Sequence, residues 1–350
     1  MTTECLCDRD LYHLSLVSRY LSIVTFPLYL RRRQLVLSGL PYSVDLHGEG
    51  FAVVDIWRQS SYFPPLKLLR CSFNTDVALA AMEMRCIFNF FHSLRTMEHV
   101  HLENMKSVDL DNILILLGSV SGTRCHTLTL TMLAFEGSRS GLMRRGMGGE
   151  ITLWQLQNLI LTHCQLSPSQ WLNFLFKLTI PSLRTLHVVG SVSLRAAHAF
   201  LLAHSGICAL IFEKCLWTDR PTSLHRLNLP QLSILRGSSS QILLILGCFR
   251  STRSLRELSI EANSPPQANF FDDVIQCLAL CEGPLFLELD LPQVTGSLPQ
   301  AITGVRASAG AARNLLSGKL PLVTGLRIGF VSMNDMIPVN RQHLYVCRNY

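Results

Sequence analysis

Charge is scarce in this chain. Asp, Glu, Lys and Arg supply 16% of the 350 residues, against 48% hydrophobic. A disordered, solvated polypeptide has the opposite balance, so a large buried core is expected. Aromatics are also few, at 8%. Long apolar runs are missing: stretches such as 113–117 and 242–248 are far too short to cross a bilayer. Asp8, Arg9 and Asp10 interrupt the start and no small-residue cleavage site follows, so no secretory signal is read. With no such signal, the twelve cysteines are expected to act as small buried hydrophobes in a reducing compartment, the cytoplasm or nucleus. Cys347 is followed by Arg348 and Asn349 rather than the aliphatic pair of a prenylation signal. No membrane partner is therefore expected.

The usual chemistry is missing too. Arg145-Gly146-Met147-Gly148-Gly149 lacks the Gly-Lys-Ser/Thr ending that grips phosphate and magnesium. Cys5-x-Cys7 and Cys277-x3-Cys281 have no second pair at metal-ligand spacing, and His99-x-His101 has no third ligand nearby in sequence. Cys125-His126 and His163-Cys164 are adjacent pairs whose side chains alternate faces, poor geometry for a nucleophile and its base. The expectation is a non-enzyme with no cofactor and no metal. A net charge of +7 hints at an acidic partner, but the arginines are scattered apart from Arg31-Arg32-Arg33, so no nucleic-acid partner is read.

What is present is a repeat. Leu156-x-x-Leu159-x-Leu161-x-x-Cys164, Ile207-x-x-Leu210-x-Phe212-x-x-Cys215 and Leu255-x-x-Leu258-x-Ile260-x-x-Asn263 share one skeleton. Further copies start at Leu66, Met97, Cys125, Leu183, Leu229, Phe286 and Val323. Their alternation builds one short strand per copy, with a closing Asn or Cys turned inward. That is the leucine-rich repeat pattern. One unit cannot bury its own apolar face, so an α/β solenoid is expected: a curved parallel sheet backed by helices. Leu159, Leu186, Leu210, Leu232 and Leu258 should form one core column.

Between strands the period becomes helical. Val77, Ala81, Met84, Phe88 and Phe91 share a face. Ser167-Pro168-Ser169-Gln170 reads as a capping box ahead of a Trp171, Phe174, Leu175, Leu178 stripe. Ser264-Pro265 should open another helix that turns Phe271, Ile275 and Leu278 to the sheet. Residues 137–149 and 295–318 are rich in Gly and read as insertions, the second with a short helix over 311–316. The expected organisation is a helical segment over 8–33, a connection over 34–65, the repeat array over 66–335 and a tail over 336–350.

In the first segment Leu11, Leu14, Val17 and Leu21 form a helical stripe, and Phe26-Pro27-Leu28 is expected to break that helix. Asp10-Leu11, Leu14, Val17-Ser18-Arg19, Pro27-Leu28 and Arg31 follow the second half of an F-box. The chain as a whole resembles the fungal-type F-box/leucine-rich repeat proteins, with a box that is N-terminally incomplete: no Leu-Pro-x-Glu lies within Met1 to Cys7. The resemblance implies a substrate-recognition adaptor of a cullin–RING ubiquitin ligase. In such an adaptor Leu11, Leu14, Val17, Leu21, Pro27 and Leu28 would dock a Skp-type linker subunit while the repeats hold a target protein. The other reading is a repeat scaffold without ubiquitin-ligase coupling.

Residues between the core leucines point out of the sheet, where solenoids bind partners. Along those positions carboxylates gather late: Glu213, Glu257, Glu261, Glu288 and Asp290. Read this way, the five form a negative patch with no interleaved base, suited to a target with a basic segment.

Overall fold

The computed structural model describes residues 6–32, 37–38, 43–47, 67–73, 97–105, 110–134, 150–219, 224–262, 270–292, 323–331 and 343–346. The chain divides into two compact units, Met1–Leu183 and Arg184–Tyr350.

The first unit opens with helices α1 (Asp8–Val17) and α2 (Arg19–Arg32). They fold back on each other, because Arg32 at the end of α2 reaches Asp8 at 3.8 Å and the Leu6 carbonyl. The break falls at Ser18, whose backbone is extended, and not at Pro27 as expected. α2 runs through Pro27, which forfeits one amide donor inside the helix. Five strands then align in parallel: β2 (Ser43–His47), β3 (Leu68–Ser72), β4 (His99–Glu103), β5 (Thr127–Thr131) and β7 (Asn158–Thr162). Strand β2 lies in the stretch read as a connection, preceded by β1 (Leu37–Ser38), which pairs antiparallel with it. Register stacks Leu69, Val100, Leu128 and Leu159 in one apolar column and Cys71, Leu102, Leu130 and Leu161 in a second. All eight are buried.

Behind this sheet lie α3 (Leu110–Val120) and α4 (Pro168–Phe176), with a short parallel pair, β6 (Ile151–Thr152) and β8 (Leu178–Thr179). Ser167 caps α4: its hydroxyl accepts from the Gln170 amide while the Gln170 side chain accepts from the Ser167 amide. Trp171, Phe174 and Leu175 form the buried stripe as expected, whereas Leu178 is buried from β8 rather than from the helix.

The second unit continues the architecture with β9 (Thr185–Val192), β10 (Ala209–Trp217), β11 (Ile234–Ser238), β12 (Glu257–Glu261), β13 (Leu285–Pro292) and β14 (Val323–Val331), all parallel. A last strand, β15 (His343–Val346), pairs antiparallel with β14 inside the stretch read as a tail. Helices α5 (Leu194–Ala203), α6 (Ser239–Cys248) and α7 (Phe270–Ala279) connect the strands. The core column is Leu186, Leu210, Leu235, Leu258 and Leu287. Leu232 is buried but stands outside it: the repeat begins at Leu232, not at Leu229. At the next inward position Gly237 stands where its neighbours carry Ile260 and Leu289, and Gln241 and Phe212 crowd that space. A Cβ on Gly237 would lie 3.4 Å from the Cβ of Phe212. In α7 the buried residues include Phe270, Val274, Cys277 and the expected Leu278, whereas Ile275 is half-buried.

Three strand exits and the bulge inside β10 share one device. Asn104, Met132, His163 and Lys214 each follow the last outward residue and adopt positive φ, at 61°, 55°, 51° and 46°. That conformation costs a non-Gly residue roughly 1–2 kcal/mol. It turns the next residue inward, and Met105, Leu133, Cys164 and Cys215 are all buried. Cys215 Sγ donates to the Val188 carbonyl at 3.2 Å, the inward closure expected of this position. The parallel sheet, the connecting helices and the repeat period make this an α/β fold of leucine-rich repeat type. The helical face from Val77 to Phe91, the opening at Ser264-Pro265 and both Gly-rich insertions lie outside the described residues.

Candidate functional site

Because the strands are in register, each sheet presents its outward residues in rows. In the first unit the rows are Leu68–His99–Thr127–Asn158, Arg70–His101–Thr129–Ile160 and Ser72–Glu103–Thr131–Thr162. Neighbouring strands lie about 4.8 Å apart, close enough for side chains in a row to bond. His99 Nε2 lies 3.0 Å from Thr129 Oγ1, His101 Nε2 lies 2.9 Å from Thr131 Oγ1, and Asn158 donates to Thr127 Oγ1 at 3.0 Å. Burial, and then the nearby His101, lower the pKa of His99 and favour its neutral form. A carboxylate joins this ladder: Arg70 donates to Glu103 at 3.0 Å, and His101 Nε2 lies 3.9 Å from the same group. The two histidines thus belong to a hydroxyl–imidazole network. No group of three metal-ligating side chains occurs among the described residues.

The second unit's rows read Thr185–Ala209–Ile234–Glu257–Phe286–Gly325, then His187–Ile211–Arg236–Ser259–Glu288–Arg327. The third carries Val189 and Glu213, then Ser238, Glu261, Asp290 and Gly329. Arg236 overturns the expectation of acids without an interleaved base. Its Nε donates to Glu261 at 3.0 Å and stands 3.7 Å from Glu213, while a terminal nitrogen donates to Asp290 at 3.0 Å. The guanidinium therefore straps β10, β11, β12 and β13 together. Burial works against its charge, but the hydrogen bond and attraction of Glu261, with Glu213 and Asp290, outweigh it and raise its pKa. Arg327 holds Glu288 at 3.2 Å.

The five predicted carboxylates consequently fall into two classes. Glu288 and Asp290 are 5% and 4% exposed and paired with arginine, so they lock the sheet rather than greet a partner. Glu213, Glu257 and Glu261 remain half-exposed. Burial raises the pKa of Glu261 despite Arg236. His187 Nε2 lies 3.5 Å from Glu213 without making a hydrogen bond. Ser259, fully buried between Arg236 and Glu288 in register, has a hydroxyl with no partner among the described residues. Five carboxylates against two guanidiniums still leave this face negative within a chain of net charge +7.

At the N-terminus Leu11 is fully buried between the helices, Leu14, Leu21 and Leu28 are half-buried, and Pro27 lies within α2. Val17 is 71% exposed. Beside it Tyr20 and Val24, absent from the expected stripe, are exposed as well. Their spacing of four along α2 was the available signal, obscured by assuming one helix across Ser18. Buried thiols are no nucleophiles: desolvation pushes Cys125, Cys164 and Cys215 up to about 12. No described helix is long and apolar enough to cross a membrane.

No family model matches the chain, and no curated protein matches it. Two solved structures are similar in part. One is the mouse RP105/MD-1 complex, at 12% identity and a TM-score of 0.27, over 72% of this chain. The chain spans 55% of the length of that mouse protein. The other is the complex of Rad7 and Elc1 in yeast, at 13% identity and a TM-score of 0.27, over 81% of this chain and 76% of that one. Neither likeness bears on function.

Proposed function

We propose that the chain is a non-enzymatic recognition subunit, a substrate adaptor of a cullin–RING ubiquitin ligase in the cytoplasm or nucleus. The repeats hold a target protein that carries a basic segment. The N-terminal hairpin docks a Skp-type linker subunit. One observation carries the reading: beside the repeats stands an N-terminal helical hairpin that leaves the apolar side chains of Val17, Tyr20 and Val24 exposed. Tyr20 and Val24, four apart on α2, share a helix face, and exposed apolar side chains so grouped mark a docking surface. Ubiquitin transfer itself falls to partner subunits.

The second reading, a repeat scaffold uncoupled from ubiquitination, is favoured by the burial of Leu11, which withdraws a box residue from any linker. Co-purification with a Skp-type linker subunit separates the two. The adaptor reading expects a complex that Val17→Asp with Tyr20→Asp abolishes while the circular dichroism spectrum is unchanged. An intact chain that never associates with the linker leaves the scaffold.

A further inference from the structure

Glu257 differs from the other acids of its face. It is half-exposed at the start of β12, and no ion pair or hydrogen bond engages its side chain among the described residues. In register it stands between Ile234 on β11 and Phe286 on β13, both half-exposed on the same face. The Phe286 ring is fixed in place by a missing side chain. It lies over Gly325 on β14, where a Cβ would come within 2.7 Å of a ring carbon. Only a glycine leaves room for the ring to lie against the strand. The result is a carboxylate without an ion pair that stands in register between an aliphatic residue and an aromatic one, whose ring leans toward β14.

That combination has a natural complement. Lys and Arg carry a charged head on an apolar stem, and they lay the stem along apolar surface while the head reaches a polar partner. A cation also gains from the face of an aromatic ring, and an arginine gains a planar two-point grip on a carboxylate. We propose that the Ile234–Glu257–Phe286 slot receives a single lysine or arginine side chain from the basic segment of a partner protein. The proposal rests on the protein-recognition reading above and narrows it. Glu213, Glu261, Glu288 and Asp290 all stand within reach of an arginine, so the carboxylate left to select a partner is Glu257. Because the chain as a whole is positive, recognition is short-ranged and belongs to the slot rather than to a long-range field.

Fluorescence anisotropy of the full chain with a labelled (Arg-Gly-Ser)3 peptide tests it, alongside the lysine analogue and the isosteric but neutral citrulline analogue. The arginine and lysine peptides are expected to bind at least tenfold more tightly than the citrulline peptide. Glu257→Gln and Phe286→Ala should each weaken the arginine peptide about fivefold or more. Gly325→Ala, which displaces the ring without touching a charge, should do the same to a smaller extent. Glu98→Gln, at an exposed pair with Lys67 in the first unit, should change nothing. Equal binding of the citrulline peptide, or full affinity in Glu257→Gln, would overturn the slot. If basic peptides bind but ignore all three slot variants, the slot is overturned while protein recognition by the repeats stands. If no basic peptide binds yet a target still associates with the intact chain, the slot again falls alone.

Discussion

The two units are built from the same repeat and present opposite chemistries. In the first, threonines, histidines and an asparagine of the outward rows are joined by hydrogen bonds, and Glu103 is held by Arg70 with His101 at 3.9 Å. In the second, a guanidinium shared by three carboxylates crosses the sheet, and two of the face's acids are buried. Core positions are interchangeable between the units, Leu for Leu, because they answer only to packing. The outward positions are free of that demand, so they carry whatever recognition the protein performs. The period of two in the strand is what separates these roles.

The sharpest way to break the comparison is to remove one arginine from each face. Arg236→Met strands Asp290 and Glu261 without their counter-charge, and losing one partner of a buried pair costs about 3–5 kcal/mol. Arg70→Met removes a half-exposed partner, and exposed pairs contribute about 0–1 kcal/mol. Urea unfolding measures both, and equal losses would dissolve the distinction between a locked face and a solvated one.

Where the units should agree is the core. Leu128→Ala and Leu210→Ala both empty a fully buried column position, and each should cost about 2–5 kcal/mol by the same measurement. A loss below about 1 kcal/mol at either would show that its column is not the continuous packing described.

The smallest effect is also the most diagnostic, because its sign differs between faces. Burial lowers the pKa of His99, so the unfolded chain binds the extra proton first. The stability tied to neutral His99 is present above pH 6.5 and is lost as pH falls below that ordinary value. Glu261 is raised instead, so the folded chain holds its proton longer, and stability falls as pH rises upward from 4.5. His99→Gln should therefore flatten the acid side of the first window, and Glu261→Gln should remove the decline in the second. Two slopes of the same sign would contradict the assigned causes.

Much of the fold was legible in the sequence because the repeat couples an apolar period of two to a helical period of 3.6, and both are set by burial. The errors came where burial alone leaves a choice. Leu229, Leu232 and Leu235 are spaced by three, so two frames satisfy the leading leucines. The true frame puts Gly237, crowded by Gln241 and Phe212, at a core position where an apolar side chain is expected, which disguised it. Choosing the wrong frame hid Arg236 and made the acids look unopposed. A local signal existed: Pro230-Gln231-Leu232-Ser233-Ile234-Leu235 follows the same template as Pro181-Ser182-Leu183-Arg184-Thr185-Leu186. At the N-terminus, proline was given the helix break that an extended Ser18 provides. The slot at Glu257 could not be read at all, since it depends on which residues three strands bring side by side.

On the proposed reading, recognition of a basic segment belongs to the second unit's outward face and not to the first. Methyl NMR of isoleucine-labelled full chain titrated with the (Arg-Gly-Ser)3 peptide tests it most directly. Ile160 marks the outward row of the first face and Ile234 that of the second, beside Glu257. The Ile234 methyl should shift saturably while Ile160 stays fixed. A saturable shift at Ile160 with Ile234 unmoved would contradict it.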